Sequence, residues 1–284
     1  MNCRHPLFQA VWFACNVLLI LSILLVAYSV VWEYSTRRYL KGFADAVVPA
    51  SAMAEEKIEV ILNWMSSGPG RLKSNPPAAS SARDPVETLN YAALLKVCGS
   101  ATNAFVNLAD SAGLTARRLL LLDSRQMTKH VVAEVLIEGR WIIVDPGFRV
   151  ILRDASGRSL TRQELADPAV FAAATSGIRG YSPVYTFDRT SHIRLARLGP
   201  VGRSFRYALD RLLPSWDDSA TMTLLVERES FTALVTSMAL AILLILLRIF
   251  LGGYADRRLK IRRLRVRQRL AQVCTAFFNT VEGD

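Results

Sequence analysis

Two long apolar runs stand near the ends of the 284-residue chain. Residues 7–32 contain no charged side chain, and residues 230–252 contain one, Arg248, close to the end of the run. A helix of about 20 apolar residues crosses the hydrocarbon core of a bilayer, and a terminal arginine can extend its head group to the interface. The pattern therefore predicts two transmembrane helices that enclose residues 33–229.

A cleaved signal peptide is the alternative interpretation of the first run. Small-x-small motifs occur at Ala50-Ser-Ala52 and Ala52-Met-Ala54. These motifs lie about twenty residues beyond the apolar run, and the run itself is long for a signal sequence. We therefore expect the first helix to be retained as an anchor, followed by a linker over residues 33–54.

The region after this linker shows helical spacing of its apolar positions. Residues 55–65 predict an amphipathic helix with an acidic first turn, and residues 85–95 predict a helix or a single turn. Residues 66–84, rich in Ser, Pro, Gly and Ala, predict an exposed loop. A further helix is predicted from Cys98, with Gly113 at its C-terminal cap.

Strand patterns follow that helix. Short apolar runs over residues 118–122, 130–137 and 140–144 predict β-strands, and the intervening Glu138-Gly139 predicts a two-residue hairpin turn. The pattern thus predicts an α+β domain in which the Cys98 helix packs on an antiparallel sheet. Residues 55–150 form this core, and residues 151–229 form an accessory region that connects it to the second membrane helix.

The register of the hairpin brings two polar side chains together. If Glu138 and Gly139 are the two turn residues, Asp145 lies opposite Val132. His130 and Asp145 are then diagonal neighbours on one face, about 7–8 Å apart at Cα. A carboxylate and an imidazole can meet at that spacing.

Cys98 is the only cysteine among residues 34–229, and His130 is one of two histidines there. The backbone N–H groups and the dipole of a helix N-terminus favour a thiolate over a thiol, and the same donors can face a developing oxyanion. The alternative is a buried structural cysteine, because free Cys is among the most buried residue types. Taken together, the thiol, the imidazole and the carboxylate predict a Cys98–His130–Asp145 triad in which the acid orients the base.

Four segments follow one another in a fixed order: Cys98 at a helix start, Gly113-Leu-Thr-Ala-Arg117, His130-Val-Val-Ala-Glu-Val135 and Trp141-Ile-Ile-Val-Asp145-Pro146. These segments resemble the transglutaminase-like superfamily of papain-like thiol enzymes, in particular its membrane-anchored bacterial type. The sequence departs from the family pattern where Val131-Val132 replace Ala-Trp and Lys96-Val97 replace Gly-x.

The resemblance implies that Cys98 attacks an amide carbonyl, followed by hydrolysis or by transfer of the acyl group to an amine. We favour a thiol amidase or peptidase acting on a peptide or another amide-containing envelope substrate. No cofactor or metal is expected, because the calcium sites of tissue transglutaminases have no counterpart in the sequence. The family's extra oxyanion donor is not identified, and Asn90 and Tyr91 are candidates.

The alternative function is a non-catalytic scaffold or assembly protein of an envelope or polysaccharide system. Such a protein would use the same domain for binding and its two helices for membrane protein partners. In the accessory region, residues 153–165 are a lid or a surface segment. An aromatic and basic stretch then forms either a packing subdomain or a surface for an acidic ligand; it contains Tyr181, Tyr185, Phe187, His192, Trp216, Arg189, Arg194 and Arg197.

The net charge of +11 is partly a topology signal. Eight Lys and Arg residues fall within residues 257–269, directly after the second apolar run. Positive residues beside a membrane helix stay in the cytoplasm, which predicts that residues 1–6 and the basic tail 253–284 are cytoplasmic. Residues 33–229 would then be periplasmic at the inner membrane. The tail favours anionic lipid as its partner, and we expect no nucleic-acid binding.

Overall fold

The structure is a computed structural model of the chain, and it describes residues 6–67, 72, 83–193, 206–207, 209–213 and 216–259. The described residues fall into two compact units. The first takes its residues from 1–27 and 236–284, and the second from 28–235. The tail after residue 259, with most of its predicted basic cluster, lies outside the described residues, as do Arg194 and Arg197.

In the second unit, helices come before and after a run of four strands, and the first and last helices continue into the first unit. The helices are α1 (Pro6–Val47), α2 (Ala54–Ser67), α3 (Pro85–Asn90), α4 (Cys98–Ser111), α5 (Arg162–Leu165), α6 (Pro168–Thr175), α7 (Ala220–Glu227) and α8 (Glu229–Tyr254). The strands are β1 (Ala116–Leu122), β2 (Thr128–Ile137), β3 (Arg140–Asp145), β4 (Val150–Ile151) and β5 (Thr190–Ser191). Short 3₁₀ turns occupy Leu94–Lys96 and Trp216–Asp218, and a π-helical turn at Ala255–Leu259 follows α8.

The first unit contains the apolar parts of α1 and α8. Both helices are long and apolar enough to cross a membrane, with a mean hydropathy of 2.6 in each. Large apolar side chains are exposed along them, including Phe13 at 70% and Leu243 at 62%. Such surfaces are suited to lipid rather than to water. The two candidate membrane helices that flank the domain are therefore present.

α1 is longer than the apolar run predicts. It continues through residues 33–47, the first part of the expected linker, and ends two residues before Pro49. Two ion pairs one helical turn apart, Glu33–Arg37 and Lys41–Asp45, support this polar half, and Leu40 on it is fully buried in the core. The linker prediction was wrong for these residues because the helix changes from lipid-facing to domain-facing without a break.

The antiparallel sheet has the strand order β4-β3-β2-β1-β5. The pairs Ala133↔Val144 and Ile137↔Arg140 confirm the predicted hairpin register. Glu138 and Gly139 have φ values of 49° and 80°, as a two-residue type I′ turn requires. The turn therefore holds the two strands of the hairpin in the register predicted from the sequence.

Both faces of the sheet are covered. On one face, Phe105 of α4 and Ile61 of α2 share a core with Val135 of β2. On the other face, Val132 of β2 packs in a core with Phe171 of α6 and with residues that follow it. The predicted α+β class, with the Cys98 helix on an antiparallel sheet, is confirmed, and a second helical layer lies on the opposite side.

A buried arginine between α7 and α8 binds two other helices of the second unit. This residue, Arg228, is 2% exposed. Its guanidinium binds Glu33 of α1 at 3.1 Å and two side chains of α4, Asn107 at 2.7 Å and Asp110 at 3.1 Å. Ser230 donates to the other Glu33 oxygen at 2.7 Å. A buried charge is tolerated only when it is paired and hydrogen-bonded in this way.

Candidate active site

α4 begins at Cys98, as predicted, and ends in a cap at Gly113. Gly113 has a φ of 82°, and its N–H donates to Asp110 while the Leu114 N–H donates to Ala109. This pair of bonds is a Schellman motif, which favours glycine at the left-handed position. The cap fixes where α4 ends, and the thiol occupies its first turn among backbone N–H groups that have no partner inside the helix.

His130 lies in β2 and Asp145 ends β3, so the hairpin carries both the predicted base and the predicted acid. His130 Nε2 and Asp145 Oδ2 are 2.7 Å apart. The second carboxylate oxygen, Oδ1, accepts the backbone N–H groups of Gly147 and Phe148 at 3.0 and 3.1 Å. Asp145 is completely buried. Its orientation is thus fixed from both sides, and the imidazole keeps Nδ1 for Cys98.

Gly147 lies beside all three predicted site residues. A Cβ at this position would lie 3.2 Å from Asp145 Oδ1, 3.5 Å from the Cβ of Cys98 and 3.5 Å from the Cε1 of His130. A single point next to Gly147 therefore touches all three predicted site residues. The structure brings them together although the first and the last lie 47 positions apart in the sequence.

The pKa values of Cys98 and His130 are shifted in opposite directions. The hydrogen bond to His130 is the main reason that the pKa of Cys98 lies below its ordinary value, and the backbone N–H groups of Val131 and Gly99 lower it further. Burial by itself lowers the pKa of His130, but the bonds to Asp145 and Cys98 outweigh burial and raise this pKa to about 9. Both shifts favour the same state, a thiolate beside an imidazolium.

Aromatic side chains enclose His130. Tyr185 stacks on the imidazole, with ring centroids 4.3 Å apart and planes inclined by 12°, while Phe148 and Tyr181 meet it edge-on at 5.8 and 6.1 Å. The buried Tyr181 hydroxyl lacks a hydrogen bond of normal geometry, and burial followed by the charge of Asp145 raises its pKa. Both tyrosines belong to the aromatic and basic stretch noted above. No pattern in the sequence indicates that they contact His130.

The other motif residues form a separate buried cluster. Arg117 Nε binds Glu134 Oε2 at 2.6 Å and its guanidinium lies 3.9 Å from the ring centroid of Trp141. His192 Nε2 approaches the same Glu134 oxygen at 2.8 Å. Burial raises the pKa of Glu134, but His192 and Arg117 outweigh it and hold this pKa below its ordinary value. These residues stabilise the sheet and do not contact the thiol.

The two candidate oxyanion donors and the candidate lid segment lie in different parts of the domain. Asn90 ends α3 with an exposed side chain, and Tyr91 follows it as the C-terminal cap. In the segment 153–165, Leu160 and Leu165 are buried in the core and Arg153 binds α2, so this segment is part of the packed body rather than a lid. Among the described residues, no group of three or more His, Cys, Asp or Glu side chains is arranged to hold a metal ion.

Residues 41–146 match the family model of the transglutaminase-like superfamily. The chain therefore carries a transglutaminase-like domain between two candidate membrane helices. The matched segment includes the polar end of α1 as well as Cys98, His130 and Asp145, and it stops before the residues that cover His130 from the other side. Neither the curated proteins nor the solved structures gave a match to this chain.

Proposed function

We propose that the protein is a membrane-tethered thiol enzyme that cleaves amides, or transfers their acyl groups, through Cys98, His130 and Asp145. The observation that carries this proposal is the convergence of the three side chains: His130 Nε2 lies 2.7 Å from Asp145 Oδ2, and Cys98, His130 and Asp145 all adjoin Gly147. The thiol's lowered pKa and its position at a helix N-terminus support the role of nucleophile.

In the proposed reaction, the Cys98 thiolate attacks the carbonyl carbon of the amide, and the carbonyl oxygen becomes an oxyanion near the N–H groups of the first turn of α4. The His130 imidazolium then donates its proton to the leaving nitrogen as the carbon–nitrogen bond breaks. A thioester remains on Cys98. Neutral His130 next takes a proton from water, the resulting hydroxide attacks the thioester, and the acid product leaves as the thiolate re-forms.

An amine in place of water would give transamidation by the same steps. We favour hydrolysis, because water needs no binding site of its own. Catalysis requires a thiolate and an imidazolium together, so activity should rise with pH through the lowered pKa of Cys98 and fall through the pKa of His130 at about 9. This bell shape is the expected pH signature of the pair.

The test compares the full chain in detergent with its His130→Ala variant. Alkylation of Cys98 by iodoacetamide is followed against pH in a Cys3, Cys15, Cys274→Ser background. A free thiol with a pKa of about 8.5 is only about one per cent ionised at pH 6.5. We therefore expect the variant to lose most of the reaction at pH 6.5 while keeping it at pH 9.5. Equal rates for the two proteins at pH 6.5 would remove the enzyme proposal and favour the scaffold function.

We further propose that the domain lies outside the cytoplasm of a cell bounded by an inner membrane, with both termini in the cytoplasm. The basic residues after α8 support this orientation, and the same residues would contact anionic lipid. A maleimide that cannot cross membranes should label Cys98 but not Cys274 once the periplasm is made accessible. Labelling of Cys274 alone would reverse the proposed orientation.

A further inference from the structure

Arg149 adopts a backbone conformation that its residue type disfavours. It is the last residue of the turn between β3 and β4, with a φ of 62°. Glycine and asparagine are the residues that such a left-handed position favours. Gln126 and Glu138 share a positive φ, but they lie in turns away from the thiol. An arginine in this turn suggests that its side chain has a role that glycine could not supply.

The guanidinium of Arg149 has no matching charge. Its Nε is buried without a hydrogen bond, and within the described part of the chain Arg149 forms no ion pair. The neighbouring Arg153 differs, because Glu55 and Glu59 bind it at 3.1 and 2.7 Å. Arg149 is therefore the arginine of this area that has no carboxylate partner among the described residues.

Arg149 lines a groove between α2 and β4 with a volume of about 360 Å³. Leu62 and Ile151 give the groove apolar walls, and Asn63 and Ser66 add neutral polar groups. Glu59 also lines it, but its carboxylate is bound to Arg153. The groove thus combines one free positive charge with a mixed lining, which suits a small group that carries a carboxylate.

The same turn contributes to the candidate active site. Gly147 and Phe148, directly before Arg149, donate their N–H groups to Asp145. Phe148 meets the His130 ring, and Gly147 approaches Cys98. A substrate bound at Arg149 would therefore contact a segment that is continuous with the residues around the thiol.

We propose that Arg149 and this groove form a subsite for a carboxylate on the acyl substrate. The inference rests on the proposed function, and it defines the substrate class as peptides or other amides with a free carboxylate near the reacting carbonyl. Arg149 would bind that carboxylate through its guanidinium, while the thiolate attacks the amide. The residue sets specificity and takes no part in proton transfer.

The probes are chloroacetyl derivatives of glycine, β-alanine, 4-aminobutyrate and 6-aminohexanoate, each as the free acid and as the primary amide. All of them alkylate a thiol, and the series varies the distance between the reactive carbon and the carboxylate. The measured quantity is the acid-to-amide ratio of alkylation rates at Cys98, in the full chain with its other cysteines changed to Ser. We expect this ratio to exceed ten at one spacer length.

Arg149→Gln should lower that ratio at least tenfold and leave the rates of the amides within about twofold. Gln has the same backbone cost as Arg at this position, so the variant isolates the charge. Arg140→Gln is the matched control, because Arg140 is exposed and paired with Glu164 at the hairpin turn, and it should leave the ratio unchanged. The imidazolium of His130 also attracts anions, but both variants retain it.

A ratio that is flat across the series, or that survives Arg149→Gln, would overturn the subsite. That result leaves the proposed function standing if the amide reagents still react with an activated thiol. Conversely, if Cys98 reacts like an ordinary thiol, the proposed function fails. The ratio still reports on Arg149 in that case, because it compares two reagents at one sulfur atom.

Discussion

Tyr185 should hold His130 in its charged state. The tyrosine ring lies 4.3 Å from the imidazole and nearly parallel to it, and an aromatic face near a desolvated cation contributes about 1–2 kcal/mol. Tyr185→Leu removes this attraction from the imidazolium and leaves the neutral imidazole less affected. A free-energy difference of 1.36 kcal/mol between the two protonation states changes a pKa by one. The pKa of His130 should therefore fall from about 9 by about 0.7 to 1.5.

The pH profile of Cys98 alkylation by iodoacetamide measures this shift. In the wild-type chain the rate should change once at the lowered pKa of Cys98 and again when His130 loses its proton. Tyr185→Leu should move the second change to lower pH, and Tyr185→Phe, which keeps the ring, should restore it. If Leu and Phe at this position give the same upper inflection as tyrosine, the stacking has no electrostatic effect and the reasoning is wrong.

Three further changes have expected outcomes. Gly147→Ala should leave the protein folded but slow Cys98 alkylation at pH 6.5 at least tenfold, because the new methyl group, 3.2 Å from Asp145 Oδ1, shifts the carboxylate that orients His130; circular dichroism provides the control for folding. Glu134→Gln should lower the free energy of unfolding by about 3 kcal/mol in urea at pH 7, since it breaks a buried ion pair, whereas the more exposed Glu164→Gln should cost about 1 kcal/mol or less. The lowered pKa of Glu134 means that its contribution is present above the unfolded pKa and is lost as pH falls through the folded value, so the difference between wild type and Glu134→Gln should shrink in acid. Arg149→Gly should raise the free energy of unfolding by about 1 kcal/mol, since it relieves the left-handed backbone; a lower value would show that the arginine side chain stabilises the fold.

Local signals explain what the sequence could predict. The Glu138-Gly139 turn and the Gly113 cap depend on the conformations of one or two residues, and these fixed the register of the hairpin and the extent of α4. The meeting of His130 and Asp145 followed from that register, because alternate residues of a strand share a face.

Contacts between distant segments could not be predicted in the same way. Tyr181 and Tyr185 follow β2 by more than forty residues, and no periodic pattern indicates that they return to His130. The extension of α1 was missed for a related reason. From the sequence alone, its polar half predicts a solvent-exposed segment. In the structure Glu33 is buried and paired with Arg228.

The contacts of Arg228 determine where the transglutaminase-like domain can be separated from the two candidate membrane helices. A fragment cut at the edges of the apolar runs, residues 34–229, would lose both Glu33 and Ser230, and the arginine would remain buried without its carboxylate on α1. Removing one partner from a buried pair costs about 3–5 kcal/mol, which is a large part of the stability of an ordinary domain. The compact unit runs instead from Tyr28 to Val235, so its boundaries lie inside the two hydrophobic helices. A water-soluble version of this domain would have to keep the C-terminal part of α1 and the first turns of α8, and replace their exposed apolar side chains, because the compact unit begins and ends inside the two apolar helices.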